Sequence, residues 1–147
     1  MLDERDLVIL RALQEDARAT FAEIGERVGL AASTVHERVR KLEWAGVIRG
    51  YRAEIDPESL GLFVTSMVSV MPLDPRQPDD LPDRVRELPE VEACHSVAGD
   101  ENYILKVRTR TTSDLEDFLR RLREKAGVQT RTTVVLSTPF ENRPIVR

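Results

Sequence analysis

The residues best suited to chemistry fall in two clusters, and the first runs from Ser33 to Lys41. Placed on a helix at about 100° per residue with Val35 at the origin, Val39 and Leu42 fall on the Val35 side. Ser33, Glu37 and Arg40 fall opposite, flanked by Thr34, His36 and Lys41. Hydroxyls, a carboxylate, an imidazole and cations on one outward face are donors and acceptors of the kind that read base edges. Between Ser33 and Arg52 the cations Arg38, Arg40, Lys41, Arg49 and Arg52 are opposed by only Glu37 and Glu43, a local surplus of +3 in a chain of net charge −4. Positive charge is thus focused where docking into a duplex groove requires it. The plainer reading of the same residues is a solvated helix with Glu/Arg pairs along its surface.

The second cluster is Gly99-Asp100-Glu101-Asn102, between two strand-like runs. Its backbone N–H groups suit a carboxylate and its side-chain oxygens an ammonium, so it could hold a small zwitterion. Glycine and aspartate are also ordinary turn formers, and from the residues alone that reading prevails. Catalytic signals are poor. His36 and His95 lie in different halves of the chain, and Cys94 has no assignable base and alternates away from His95. A single cysteine can form neither an intrachain disulfide nor a cysteine-based zinc site. Gly99 stands alone, so there is no phosphate loop. Glu15-Asp16 and Asp79-Asp80 are neighbours in polar stretches without a pocket rationale. No catalytic residue, metal ligand set or cofactor motif is assigned.

The elements that must position these clusters differ in period between the two halves. Leu7, Leu10 and Leu13 recur at helical spacing from an Asp3 start. Thr20 with Glu23 forms a capping box that opens a second helix carrying Phe21, Ile24 and Val28. Gly29-Leu30-Ala31 interrupts it, and the third helix ends at Gly46. Two short helices around such a turn are a helix-turn-helix pattern, whose second helix enters the major groove. Val47–Ile55 reads as extended, and Asp56-Pro57 ends it. Strand patterns follow at 63–71, 91–97, 103–109 and 129–137. Helices are expected at 83–88 and after a box at Ser113–Glu116. The order β-α-β-β-α-β is the ferredoxin-like arrangement, so the fold class is α+β.

Two helices cover only one face of a four-stranded sheet. The strand Val64–Met71 is uncharged and partly apolar on both faces, so the second face calls for a partner, most simply another copy. The chain has 147 residues, 41% hydrophobic and 33% charged, a globular composition. No stretch approaches the roughly 20 apolar residues of a membrane span. The acidic start Met1–Asp6 lacks the apolar block of a signal peptide. A soluble cytoplasmic protein, away from membranes, is expected. The acidic balance argues against indiscriminate coating of nucleic acid but leaves specific binding open.

Along nearly its whole length the chain resembles the Lrp/AsnC regulators, the leucine-responsive and asparagine-responsive transcription factors of bacteria and archaea. The first half carries the match in Leu2-Asp3, Asp6, Ile9-Leu10-x-x-Leu13, Asp16-Ala17-Arg18, Gly29-Leu30, Ser33-Thr34-Val35, Arg38-Val39-x-Lys41-Leu42-Glu43 and Gly46-Val47-Ile48-x-Gly50-Tyr51. Asp56-Pro57-x-x-Leu60-Gly61, Pro89-x-Val91, Gly99-Asp100 and Thr132–Leu136 continue it in order.

The resemblance implies a helix-turn-helix domain over 1–50, a hinge strand and linker over 51–61 that pairs with a dimer mate, and an effector-binding, oligomerising domain over 62–147. It implies double-stranded DNA as partner, homodimers assembling to octamers, and modulation by an amino acid or related metabolite. Carried over by position, Ser33, Thr34, His36, Glu37, Arg38, Arg40, Lys41 and Arg49 would meet DNA. Gly99, Asp100, Glu101, Asn102 and Tyr103, with Thr132, Thr133 and Val134 of a neighbour, would line the effector site. Two positions depart from the pattern. Ala31 stands where the family commonly caps helix three with Ser, and Asn102 where amino-acid-responsive members commonly have Asp. An amide has no charge for an ammonium, which weakens or alters amino-acid recognition. The activity expected is regulation and not catalysis. A siroheme-decarboxylase-like enzyme and a ligand-sensing module without specific DNA binding are the alternatives on the same architecture.

Overall fold

Three reciprocal capping boxes set the starts of the principal helices. In the computed structural model, which describes residues 1–147, Asp3 and Asp6 cap α1 (Glu4–Glu15), Thr20 and Glu23 cap α2 (Phe21–Val28), and α3 spans Ala32–Trp44. α3 begins at Ala31 with no side-chain cap. Ile9, Leu10, Ala12, Ile24, Val35, Val39 and Leu42 form the core of this trihelical unit. Leu7, expected on the buried stripe, is instead partly exposed, and Ile9 takes the central place.

The second unit begins with a single 3-10 turn at Glu58–Leu60. It continues with β1 (Val64–Pro72), α4 (Leu81–Val85), β2 (Val91–Ser96), β3 (Tyr103–Thr109), α5 (Thr112–Ala126) and β4 (Val128–Val135). The sheet order is β2-β3-β1-β4, all neighbours antiparallel. Val68, Val70, Leu105 and Val107 of the sheet share one core with Val85, Leu115, Phe118 and Leu122 of the helices. This is the expected α+β fold. α5 opens from Thr111 with Asp114, and not from Ser113 with Glu116. Both frames satisfy the Ser/Thr-x-x-acid pattern, and the earlier one wins as the chain leaves β3.

The chain divides into two compact units between Glu54 and Ile55, and Phe140–Arg147 groups with the first. Val146 packs against the trihelical core, and the backbone N–H groups of Ile145 and Val146 both donate to Gln14 Oε1, at 3.2 and 3.1 Å. An aliphatic contact and two hydrogen bonds hold this segment. Deleting residues 140–147 is expected to lower the stability of the trihelical unit by about 1–3 kcal/mol. Urea unfolding followed by helical circular dichroism measures it. The extended run expected over 47–55 finds no strand partner within the chain, and Tyr51 and Ile55 are exposed.

Candidate nucleic-acid interface and ligand loop

The α2–α3 turn is a tight construction. Gly29 sits in the left-handed region at φ 69°, which glycine adopts without steric cost, and Leu30 N–H donates to Gly25 O at 3.0 Å. α3 then buries Val35, Val39 and Leu42, which turns Ser33, Thr34, Glu37, Arg40 and Lys41 to solvent. Glu37 and Lys41 form an i,i+4 pair at 3.2 Å. Arg40, Arg49 and Arg52 are exposed and make no ion pair within the chain. They keep their full charge for an outside anion.

Two of the sequence-selected residues have other work. Arg38 Nη1 donates to Asp3 Oδ2 and Asp6 Oδ1, both at 2.8 Å, so the guanidinium braces α3 against the start of α1. These bonds raise the Arg38 pKa further, and the Asp6 backbone N–H together with Arg38 holds Asp3 below its ordinary value. Arg38 therefore serves as a brace between α3 and α1, with both bonds made by Nη1. The His36 ring stacks on Phe21, with centroids 5.0 Å apart, which ties α3 to α2 and leaves the exposed imidazole edge as its remaining contact surface. Tyr51 donates to Glu43 Oε1 at 2.9 Å; burial and then this carboxylate push its phenol up to about 12. That bond fastens the chain leaving the trihelical unit to the end of α3.

The effector candidates do not converge on one spot. Gly99 and Asp100 are exposed in the β2–β3 turn. Asn102 and Tyr103 line a cavity of about 150 Å³ with Gln77, Asp79 and Asp80 of the proline-rich β1–α4 connection and Arg84 of α4. The Tyr103 hydroxyl donates to Asp79 at 2.5 Å, which, with burial second, raises its pKa to about 12. Glu101 turns the other way. Ser69 Oγ donates to its Oε1 at 3.0 Å, and Arg131 Nη2 stands 3.9 Å from the same oxygen. Its own backbone N–H first, then Ser69, with Arg131 adding to them, keep Glu101 charged below the usual glutamate range. On β4, Thr133 pairs with Met67 on the uncovered sheet face, while Thr132 and Val134 pair with Val68 and Ser66 on the helix-covered side. Sequence reasoning missed Ser69, Asp79 and Arg131, which only strand pairing and the β1–α4 connection bring to the loop.

The uncovered face carries half-buried Met67, Met71, Ile104 and Val135. Around them Glu92 binds Lys106 at 3.3 Å and also Arg108, whose Nη1 donates to Thr65 Oγ1 at 2.8 Å. Lys106 and Arg108 thus share one carboxylate beside an apolar patch.

Residues 2–43 match the AsnC-type helix-turn-helix domain, and residues 64–145 match the Lrp/AsnC ligand binding domain. The chain is 47% identical over 142 residues to the HTH-type transcriptional regulator LrpA of Mycobacterium tuberculosis, covering 97% of this chain and 95% of that one. It is 39% identical over 126 residues to the proline dehydrogenase transcriptional activator of Rhizobium radiobacter, covering 84% and 79%. Among solved structures it superposes on the feast or famine regulatory protein from M. tuberculosis complexed with L-methionine, with a TM-score of 0.97, 46% identity and all of both chains covered. It also superposes on E. coli AsnC, with a TM-score of 0.87, 29% identity, and coverage of 100% and 99%. With both domains matched in order and relatives this similar along nearly the whole chain, the chain belongs to the Lrp/AsnC family of helix-turn-helix transcriptional regulators.

Proposed function

We propose that this regulator reads a roughly palindromic duplex site as a homodimer, with one α3 in each of two successive major grooves about 34–36 Å apart. The observation that carries this reading is the outward face of α3. Ser33, Thr34, Glu37, Arg40 and Lys41 are exposed over a buried Val35–Val39–Leu42 stripe, with unpaired Arg49 and Arg52 beyond. Lys41, Arg49 and Arg52 anchor phosphates; Ser33, Glu37 and Arg40 discriminate bases; Thr34 and the His36 edge flank them. The dimer forms through the uncovered sheet face and the pairing of residues 51–55 with their counterparts, and dimers assemble further to octamers. The domain limits proposed are 1–50, 51–61 and 62–147, with the last eight residues packed on the first unit.

The effector is a small amino acid or related metabolite, as in the methionine complex of the M. tuberculosis relative. Glu101 and the exposed Arg131 offer opposite charges to a zwitterion beside Gly99 and Asp100, and a neighbour's Thr132–Val134 closes the site. With Asn102 uncharged, Glu101 supplies the anion for the ammonium. Coupling of ligand to DNA affinity is worth about 1–3 kcal/mol. Regulation without catalysis fits relatives that are named as regulators. Titration with siroheme is accordingly expected to leave the absorption spectrum unchanged.

Arg40→Ala relaxes base preference by about 1–3 kcal/mol at one step per half-site, whereas Lys41→Ala weakens all sequences alike and shallows the salt dependence. Salt-titrated binding to matched and mismatched duplexes separates the two. Identical behaviour of both variants would contradict these roles.

A further inference from the structure

One conspicuous side chain on the recognition helix is not accounted for by the core, the braces or the residues assigned above. Trp44 ends α3 and is 87% exposed, more than any other aromatic side chain of the chain. No ring contact or cation–π contact holds it. In the projection that sets Val35 inward, Trp44 lies directly opposite, within about 40° of Ser33, Glu37 and Arg40. It stands about 17 Å along the helix from Ser33, one turn past Arg40 and Lys41. A large ring so displayed is costly to leave in water, and here it continues a polar, cationic face.

We infer that Trp44 is a further DNA contact, which positions α3 at the flank of each half-site. The inference rests on the recognition-face reading above and extends it by one helical turn. The flat apolar ring lies against the deoxyribose wall of the groove. The indole N–H, which can only donate, meets a phosphate oxygen. Duplex DNA suits this residue because the ring continues the face that carries Arg40 and Lys41, within a segment, Ser33–Arg52, that holds a surplus of three positive charges in a chain of net charge −4. A neutral contact adds affinity without releasing counterions, so it fixes register and leaves the salt slope alone.

Trp44 is the only tryptophan, so its fluorescence reports the contact without a label. The test uses the full-length protein, a duplex selected from a random-sequence pool, and a shuffled duplex of equal length. Saturating selected duplex is expected to shift or quench the emission and to shield the ring from acrylamide. Trp44→Ala is expected to weaken that duplex about 5- to 30-fold with an unchanged salt slope and melting temperature, and Trp44→Phe to retain most of the affinity. If wild type and Trp44→Ala bind the selected duplex equally and the emission does not respond, the inference fails while the recognition face stands. An emission that responds to protein concentration but not to DNA places the ring between copies and also overturns it. If no duplex is selected at all, the recognition-face reading fails first and the inference falls with it.

Discussion

Phe118→Ala is expected to destabilise the sheet unit by about 3–5 kcal/mol, the largest single effect in the molecule. Phe118 is fully buried at the middle of α5. It belongs to the one cluster that joins Val68, Leu105 and Val107 of the sheet to Val85 and Leu122 of the helices. Truncation removes most of a benzyl group from water-free packing and leaves a cavity that an antiparallel sheet cannot close without breaking its register. Denaturant unfolding should show the sheet unit melting early while the helical signal of the trihelical unit persists, because the two have separate cores. Phe140→Ala is the contrast. That ring is 71% exposed with Arg143 over it, and its loss should stay within about 0.5 kcal/mol. The dimerisation proposed through the uncovered sheet face should fall with Phe118→Ala, since the face is presented by the same strands.

Gly25→Ala should disable recognition from a distance. A Cβ built on Gly25 would stand 2.4 Å from Leu30 O, inside the turn between α2 and α3. The atom it meets is backbone, so no side-chain rotation relieves the clash. Elsewhere in a helix, alanine would gain about 1 kcal/mol over glycine. Here overpacking outweighs that gain, and a net loss at or above the upper part of about 1–3 kcal/mol is expected in the trihelical unit. The turn sets the angle at which α3 leaves α2, so duplex affinity should fall further than stability alone requires. Thermal melting alongside duplex binding measures both. Wild-type affinity together with wild-type melting would show that the turn has room the geometry denies.

Much of this fold was legible because local chemistry and periodicity agree. Thr20 with Glu23, and Val35, Val39 and Leu42 at i, i+4 and i+7, mark α2 and α3, and β3 follows from alternation over Tyr103–Thr109. The frame of α5 was misread because two capping patterns lie two residues apart, and only the exit from β3 selects Thr111. The role of Arg38 was hidden because its carboxylate partners lie 35 and 32 residues earlier. Helical projection alone made it a surface cation. The docking of Val146 on the first unit was equally out of reach, since a residue near the chain end carries no periodic signal for a core more than a hundred residues away. Trp44, by contrast, was available: the projection that selected Ser33, Glu37 and Arg40 includes it.

The ligand loop shows the same division. Gly99–Asn102 reads as a turn, and the turn is there, but its charge partners come from β1 and β4 through strand pairing. Ser69 lies opposite Arg131 in the β1–β4 ladder, and that register brings a cation to Glu101 across β1. A one-residue slip would send Arg131 to the opposite face and leave Glu101 with Ser69 alone.

Selection of binding sites from a random duplex pool, using the intact protein, tests the central claim most directly. The account predicts a recovered motif with two related half-sites whose centres lie about 10–10.5 bp apart, or a multiple of that spacing. Recovery of nothing beyond a salt-sensitive background with no shared half-site would contradict it.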